Sequence, residues 1–176
     1  MDKVLIIIDM QNDFIDGSLS NPEAQLIVEK VAKLAAGWRG RIYLTRDTHF
    51  DNYMTTQEGQ KLPVPHCIKN SDGWKVNRLI DNAANNNPLS KVEYVDKPSF
   101  GAGTLIYDAI MKTGEPCEIT MCGTCTDICV VSNALILKSF FPEVPMNVVA
   151  DCCAGLTKEK HNAALDVMSS CQINII

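Results

Sequence analysis

The sequence predicts an α/β fold: a single, mostly parallel sheet of about six strands with helices on both of its faces. Short apolar runs alternate with helical patterns along the chain. The runs are almost continuously apolar, as is typical of parallel strands that are buried on both faces. The length of 176 residues corresponds to one domain, residues 1–176. Right-handed crossovers then give a three-layer sandwich.

The predicted strands share this apolar character, and they are Val4–Asp9, Arg41–Thr45, Lys91–Val95, Glu118–Cys122, Met146–Ala150 and Gln172–Ile175. The first helix is predicted to begin at Asn21-Pro22-Glu23, where a polar cap precedes a proline and an acidic residue, and to end at Gly37. Similar helical patterns cover Gly103–Lys112, Thr126–Ser139 and Thr157–Ser169.

The stretch from Phe50 to Gly73 departs from this alternation. It contains two prolines and several acidic residues and has little periodicity, so we predict a long loop. Loops of more than about 12–15 residues in compact domains are usually functional or disordered. Asn82–Asn87 is predicted to be a polar surface turn.

Charge, apolar runs and cysteine usage exclude several classes of protein. Lys and Arg number 16 against 21 Asp and Glu, and the net charge of −5 argues against a nucleic acid partner. No apolar run approaches the roughly 18 residues of a membrane span, and Val4–Ile8 is too short for a signal-peptide core of about 7–15 residues. The eight cysteines lie mostly in apolar stretches, so we expect reduced thiols and a cytoplasmic protein.

Polar residues follow the predicted strands at their carboxyl ends, where open parallel sheets bind ligands. Asp9, Lys97 and Cys129 are candidates there for an acid/base, a cationic positioner and a nucleophile. A helix capped by Thr126 or Asp127 would place Cys129 near its first turn, where the helix dipole lowers the pKa of a thiol. Each of the three residues also has a structural interpretation, as a turn cap, a solvated lysine or a packed cysteine.

Asp47, His49, Glu58 and His66 form a candidate metal site. Asp47 and His49 are two residues apart at a predicted strand end, and Glu58 and His66 follow in the long loop. Histidine and carboxylate ligands suit Zn, Mn or Fe(II) and leave positions open for water or substrate. Alternatively, the two histidines bind buried carbonyl groups. His161, in a predicted amphipathic helix, is expected to be structural.

Cys122, Cys125 and Cys129 raise a different possibility, a cysteine-bound metal or an iron–sulfur cluster. The first of them ends a predicted strand and the last lies on a predicted helix, so their side chains should diverge. No fourth ligand follows at a suitable spacing, and this interpretation is disfavoured.

Spaced motifs extend over nearly the whole chain: Val4-Leu5-Ile6-Ile7-Ile8-Asp9-Met10-Gln11-Asn12-Asp13-Phe14, Thr45-Arg46-Asp47-Thr48-His49, Pro65-His66-Cys67, Asp96-Lys97 and Gly123-Thr124-Cys125-Thr126-Asp127-Ile128-Cys129-Val130. In this order they resemble the motifs of the isochorismatase-like cysteine hydrolases, a family that includes the nicotinamidases. The resemblance implies the isochorismatase-like, Rossmann-like form of the three-layer sandwich.

By this resemblance, Asp9, Lys97 and Cys129 are the catalytic triad. It also implies a cis peptide between Thr124 and Cys125, and an oxyanion hole made by the backbone N–H groups of Cys125 and Cys129.

The resemblance further makes Asp47, His49, Glu58 and His66 the ligands of one divalent metal ion, zinc first and Mn or Fe as alternatives. It places Phe14 and Phe100 beside the substrate ring. Two departures from the family pattern stand out. Glu58 has to complete the metal site because a second loop histidine is missing, and Leu62-Pro63-Val64-Pro65 stands where a bulky aromatic residue often precedes the Pro-His element.

The expected activity is hydrolysis of a small carboxamide, foremost nicotinamide to nicotinate and ammonia, through a thioester and as part of NAD salvage. A homo-oligomer is expected by analogy with the family. The alternatives are another amidase or an isochorismatase-type hydrolase, which needs neither the cysteine nor the metal. A non-enzymatic cysteine-rich metal or redox protein is a further alternative, against which the intact Asp9 and Lys97 argue.

Overall fold

A six-stranded parallel sheet forms the centre of residues 3–102 and 104–176, the part of the chain that the computed structural model describes. Its strands are β1 (Lys3–Ile8), β2 (Gly40–Asp47), β3 (Ser90–Lys97), β4 (Glu118–Thr124), β5 (Met146–Ala154) and β6 (Asn174–Ile175). They lie in the order β3-β2-β1-β4-β5-β6, and each neighbouring pair is parallel. The predicted fold class is confirmed.

β1 lies in the middle of the sheet and is almost completely buried. Val4 to Ile8 are each at most 1% exposed. Val, Leu and Ile side chains suit this position because both faces of the strand meet the apolar core. The buried run ends at Ile8, so Asp9 is the first polar group beyond the core.

Helices cover the sheet, and they are α1 (Asn12–Ile15), α2 (Pro22–Gly37), α3 (Gln57–Lys61), α4 (Arg78–Asn85), α5 (Thr104–Met111), α6 (Val131–Phe140) and α7 (Lys158–Ser170). α2 packs against α4, whereas α6 packs against α7 and stacks Phe140 on Tyr107 of α5. Right-handed crossovers place these two groups on opposite faces of the sheet. As predicted, Asn21 caps α2 by accepting the N–H of Glu23. No helix of the described residues is both long and apolar enough to cross a membrane.

The surface turn predicted at Asn82–Asn87 is wrong, because residues 82–85 belong to α4. Asn77 caps this helix by accepting the N–H of Leu79, and Ile80 and Ala84 bury one face of it. Two buried apolar positions are too few to give a visible helical period in a polar sequence.

Other predicted boundaries also change. The long segment from Phe50 to Gly73 contains a 3₁₀ turn at Tyr53–Thr55 and the short helix α3. The helix predicted from Thr126 begins with a π-helical turn, Thr126–Val130, before α6. Gly103, the predicted start of the helix that forms α5, lies outside the described residues.

The chain changes its direction of travel across the sheet after β3, because β4 returns to the other side of β1. Such a reversal leaves a crevice at the carboxyl ends of the central strands, where ligands of open parallel sheets bind. Asp9 follows β1, and Cys129 follows β4. Lys97 ends β3, in register with Asp47 at the end of β2. The fold therefore gathers these four residues at one edge.

Candidate active site

Lys97 lies at the centre of a buried cluster of charged groups. Its Nζ is 2.7 Å from Asp9 Oδ2, 3.4 Å from Asp47 Oδ1 and 3.6 Å from Cys129 Sγ. It also donates a hydrogen bond to the carbonyl oxygen of Ser99 at 3.0 Å. Burial alone would lower the pKa of Lys97, but the negative groups around it, Asp9 foremost, raise that pKa above its ordinary value. The structure thus brings the three predicted catalytic side chains together, and the charged amine of Lys97 contacts the other two.

Asp9 directs its carboxylate from the end of β1 toward this lysine. Its backbone φ is 49°, in the left-handed region that aspartate adopts more readily than most residues. The hydroxyl of Thr45, on β2, donates to Asp9 Oδ1 at 2.6 Å and accepts the Asp9 N–H at 3.1 Å. Burial raises the pKa of Asp9 above its ordinary value, although the Lys97 ammonium opposes the rise. A carboxylate with a raised pKa is suited to take up a proton and return it.

Cys129 is 6% exposed and lies in the π-helical turn. Burial raises the pKa of its thiol well above the ordinary value, and Asp9 raises it further, whereas Lys97 lowers it. The lowering of this pKa predicted from the helix dipole is therefore wrong. Asn133 of α6 fixes the turn, because its side-chain Nδ2 donates to the carbonyl oxygens of Cys129 at 2.7 Å and Phe100 at 3.1 Å.

The predicted caps of this helix have other partners. Thr126 Oγ1 forms a hydrogen bond with His161 Nδ1 at 2.8 Å, and Asp127 Oδ1 accepts the N–H of Leu156. Neither caps the turn, whose first residue follows Cys125 without a side-chain cap. His161 therefore ties α7 to the turn that carries Cys129, in agreement with its expected structural role.

Backbone geometry shapes the approach to this turn. The peptide between Thr124 and Cys125 is cis, as the resemblance implied. Gly123 has a φ of 121°, and a Cβ there would lie 2.1 Å from the carbonyl oxygen of Ile8. Only glycine fits such a close approach to β1. Burial raises the pKa of the Cys125 thiol to about 11.

Asp47, His49, Glu58 and His66 form the one group of potential metal ligands found among the described residues, with donor atoms within 4.8 Å of one another. His49 Nε2 is 2.9 Å from Asp47 Oδ2 and 3.7 Å from Glu58 Oε1. His66 Nε2 is 3.5 Å and 3.7 Å from the same two oxygens. Burial alone would raise the pKa of Asp47, but hydrogen bonds with the two histidines lower it well below its usual range. An ionised carboxylate and two imidazoles that converge in this way fit a divalent ion.

Further contacts orient the two imidazole rings. His66 Nδ1 is 2.9 Å from the carbonyl oxygen of Val64, so we assign a hydrogen to Nδ1, and an ion at the site would replace the hydrogen that Nε2 donates to Asp47. The Tyr53 ring packs edge-on against His49 and His66, with centroid distances of 4.8 Å and 5.1 Å. The alternative interpretation, in which the histidines bind buried carbonyl groups, therefore holds for one ring nitrogen, Nδ1 of His66. The other nitrogen, Nε2, faces Asp47 and Glu58.

Gln11 holds Asp47 in place through its backbone. The buried amide of Gln11 donates from Nε2 to the Asp47 carbonyl oxygen at 2.9 Å and accepts the Asp47 N–H on Oε1 at 2.7 Å. Nε2 also donates to the carbonyl oxygen of Trp74 at 2.9 Å. One side chain therefore joins the segment after β1, the end of β2 and the segment that follows the long loop.

Replacing Gln11 with glutamate is expected to weaken metal binding. Glutamate cannot donate to the carbonyl oxygens of Asp47 and Trp74, so two buried acceptors would lose their donor. We expect the affinity for Zn²⁺ or Mn²⁺ to fall by about 10- to 100-fold, the usual effect of removing a partner of a ligand, in calorimetric titrations. Gln25→Glu, at an exposed position of α2, is the matched control and should bind normally. Equal affinities for the native protein and Gln11→Glu would contradict this role.

A pocket of about 460 Å³ opens over these groups. The polar side chains that line it include Asp47, Glu58, His66, Cys125 and Cys129. Its apolar lining includes Phe14, Leu62, Phe100, Ile128 and Leu156. A pocket of this kind suits a small apolar ring with a few polar groups. It connects the Cys129 thiol with the ligand group, so one small molecule can contact both.

The isochorismatase domain family matches residues 3–176 of the chain. The chain belongs to the isochorismatase family. The family predicted from the motifs is thereby confirmed. The cysteine-bound metal is not supported, because Cys122, Cys125 and Cys129 do not form a ligand group within the described residues.

This isochorismatase-family protein is similar to several nicotinamidases. It is 30% identical to the nicotinamidase of Saccharomyces cerevisiae over 126 residues, a match that spans 54% of this chain and 56% of that protein. The nicotinamidase of Escherichia coli is 26% identical over 191 residues, covering 92% of this chain and 87% of that protein.

Solved structures show the same fold. The nicotinamidase/pyrazinamidase PncA of Bacillus subtilis superposes with a TM-score of 0.83 at 23% identity, with 99% of each chain covered. The pyrazinamidase of Pyrococcus horikoshii, solved in complex with zinc, gives a TM-score of 0.76 at 23% identity, covering 100% of this chain and 99% of that one. The family match and the similarity to the Escherichia coli nicotinamidase identify the protein as a nicotinamidase-like hydrolase of the isochorismatase family.

Tyr53 and Asn133 were not singled out from the sequence. Each acts across the fold: Tyr53 packs on both imidazoles, and Asn133 joins α6 to the loop of Phe100. An isolated tyrosine in a loop and an asparagine in a helix carry no spacing signal, so nothing in the sequence alone could have marked them.

Proposed function

We propose that this protein hydrolyses nicotinamide to nicotinate and ammonia through a thioester on Cys129. One observation carries the proposal: Lys97 Nζ contacts both Asp9, at 2.7 Å, and Cys129 Sγ, at 3.6 Å, beside a pocket that also reaches the ligand group. This arrangement supplies a base, a cation and a nucleophile for a ring-bearing amide. Similarity to nicotinamidases supports the choice of substrate.

In this mechanism, Asp9 takes the proton of the Cys129 thiol as the sulfur attacks the amide carbon. The charge of Lys97 stabilises the thiolate as it forms. The backbone N–H groups of Cys125 and Cys129 bind the oxyanion, a contribution of about 3–4 kcal/mol per donor in comparable sites. Asp9 then passes the proton to the nitrogen as the C–N bond breaks and ammonia leaves. It next accepts a proton from the water that attacks the thioester and returns this proton to the sulfur as the C–S bond breaks, which restores the thiol.

Asp47, His49, Glu58 and His66 would hold one divalent ion, which we propose to be zinc, with Mn or Fe(II) as alternatives. When bound, the ion supplies a Lewis-acid contact for the pyridine nitrogen. The zinc in the Pyrococcus horikoshii structure supports this choice. Phe14 and Phe100 would flank the ring and keep it facing Cys129.

Hydrolysis of another small carboxamide, such as pyrazinamide, is the second candidate. Leu62 lines the pocket near the position where an aromatic residue is common in the family. An aliphatic side chain discriminates less sharply than an aromatic one between rings of similar size.

Hydrolysis of nicotinamide is a step of NAD salvage, and we propose that the protein performs it in the cytoplasm as a homo-oligomer. The net charge of −5 and the absence of a long apolar run in the sequence support a role without nucleic acid or membrane partners.

Ammonia release from nicotinamide tests the proposal. Protein stripped by a chelator and reloaded with Zn²⁺, Mn²⁺ or Fe²⁺ should release equal amounts of ammonia and nicotinate, with one ion bound per chain. His66→Ala should lose most of its metal and at least about 100-fold in kcat/KM, because one of the ligands is removed. His161→Ala, outside the ligand group, is the matched control for metal content.

If no ammonia were released from nicotinamide with any of the three metals, nicotinamide would be refuted as the substrate. Activity on pyrazinamide alone would select the second candidate. Full metal content in His66→Ala would remove His66 from the metal site.

A further inference from the structure

The hydroxyl of Thr45 makes two hydrogen bonds to one residue. It accepts the backbone N–H of Asp9 at 3.1 Å and donates its own hydrogen to Asp9 Oδ1 at 2.6 Å. Thr45 lies in β2 and is 1% exposed, so bulk water does not compete for this hydroxyl. The two bonds fix the direction of the single hydroxyl hydrogen.

The two oxygens of the Asp9 carboxylate are therefore not equivalent. Oδ1 receives the hydrogen of the Thr45 hydroxyl. Oδ2 lies 2.7 Å from Lys97 Nζ, and this nitrogen is 3.6 Å from Cys129 Sγ. The Thr45 hydrogen bond therefore holds the carboxylate in the orientation that places Oδ2 against the Lys97 ammonium.

We propose that Thr45 is a positioning residue that holds the Asp9 carboxylate against Lys97 and supplies a hydrogen bond to its ionised form. This inference rests on the proposed function. The proton leaves Cys129 Sγ for the Asp9 carboxylate as the C–S bond forms, and it moves from Asp9 to the amide nitrogen as the C–N bond breaks. Thr45 gives up no proton in either step and acts through Asp9.

The sign of the expected effect follows from the groups around Asp9. The titratable side chains that act on it or respond to its charge are Lys97 on β3, Asp47 on β2, Cys129 and Cys125 at the π-helical turn, and Cys67 in the long loop. A variant without the Thr45 donor leaves all of these in place. It removes one hydrogen bond to the ionised carboxylate, so the pKa of Asp9 should rise.

The experiment compares Thr45→Val and Thr45→Ser in the metal-loaded protein. Valine keeps the shape and removes the hydroxyl, whereas serine keeps it. Thr45→Ala is a second variant without a donor in case valine prevents folding. Thr120→Val, which removes a buried hydroxyl from β4, is the matched control. Thermal unfolding is recorded for each variant.

Two pH profiles are measured for each variant. One is kcat/KM for nicotinamide, and the other is the rate of Cys129 alkylation by iodoacetamide, followed by peptide mass spectrometry. In Thr45→Val and Thr45→Ala, the acid-side midpoint of both curves should move up by about 1 to 2 pH units, the shift expected for one hydrogen bond to a charged group. The decrease should appear in kcat rather than in KM. Thr45→Ser and Thr120→Val should keep the native midpoints.

Native midpoints in folded Thr45→Val and Thr45→Ala would overturn the proposal, as would an equal displacement in Thr120→Val. Failure of the proposed function gives a different result, because the native protein would then release no ammonia. The alkylation curves would still report on Thr45 in that case.

Discussion

Replacing Cys129 with alanine is expected to abolish nicotinamide hydrolysis, with kcat reduced by at least about 10⁴-fold. The sulfur of Cys129 is the group that Lys97 contacts at 3.6 Å in the pocket. Alanine offers no nucleophile, and Asp9 would have no thiol proton to accept. Substitution removes one buried atom at a position that is 6% exposed, so the fold should persist. Ammonia release under single-turnover conditions measures the effect.

Cys171→Ala is the matched control, since Cys171 is exposed at the end of α7 and should leave turnover unchanged. Acid-quenched native protein should also carry a nicotinoyl group on Cys129 by mass spectrometry. Turnover within tenfold of the native rate in Cys129→Ala would contradict the assignment. So would a nicotinoyl group on Cys125, the second thiol of the pocket.

Replacing Lys97 with methionine is expected to reduce both stability and activity. The cation is fully buried between Asp9 and Asp47, so its removal leaves these two buried carboxylates without the positive charge that both of them face. Breaking a buried ion pair from one side costs about 3–5 kcal/mol, and we expect the free energy of unfolding to fall by that amount in denaturant titrations. We also expect kcat/KM to fall by at least about 100-fold, because the forming thiolate of Cys129 loses its cation.

Lys91→Met on the same strand is the control, because Lys91 is exposed at the other end of β3. It should change the free energy of unfolding by less than about 0.5 kcal/mol. Native stability in Lys97→Met would show that the buried carboxylates do not depend on this cation, and native turnover would exclude Lys97 from the mechanism.

The residues at the strand ends were predictable from the sequence, because a buried parallel strand shows itself as an apolar run and the sheet edge begins where the run stops. Asp9 follows this rule, whereas Lys97 ends an outer strand, β3, that is only partly apolar and partly buried. The strands themselves continue further: β5 runs to Ala154, because its last residues pair with β4. Pairing across a sheet depends on residues that are distant in the chain, so the local pattern of apolar residues does not reveal it.

Roles that depend on long-range contacts could not be predicted. Thr45 and Gln11 act on partners 36 residues away in the chain, and their motifs indicated no function for them. The thiol pKa of Cys129 shows the same limit. Helix position suggested a lowered pKa, but burial and the nearby Asp9 raise it.

Lys97 is carried by β3, the strand at one end of the sheet order. Outer strands open locally at a lower free-energy cost than central ones, without unfolding of the whole domain. Separation of β3 from β2 would withdraw the ammonium from Asp9 and Cys129 while β1 and β4 stayed paired. The same event would release Asp47 from its register partner. We therefore expect local opening of β3 to end the proposed catalytic cycle while the rest of the domain is still folded.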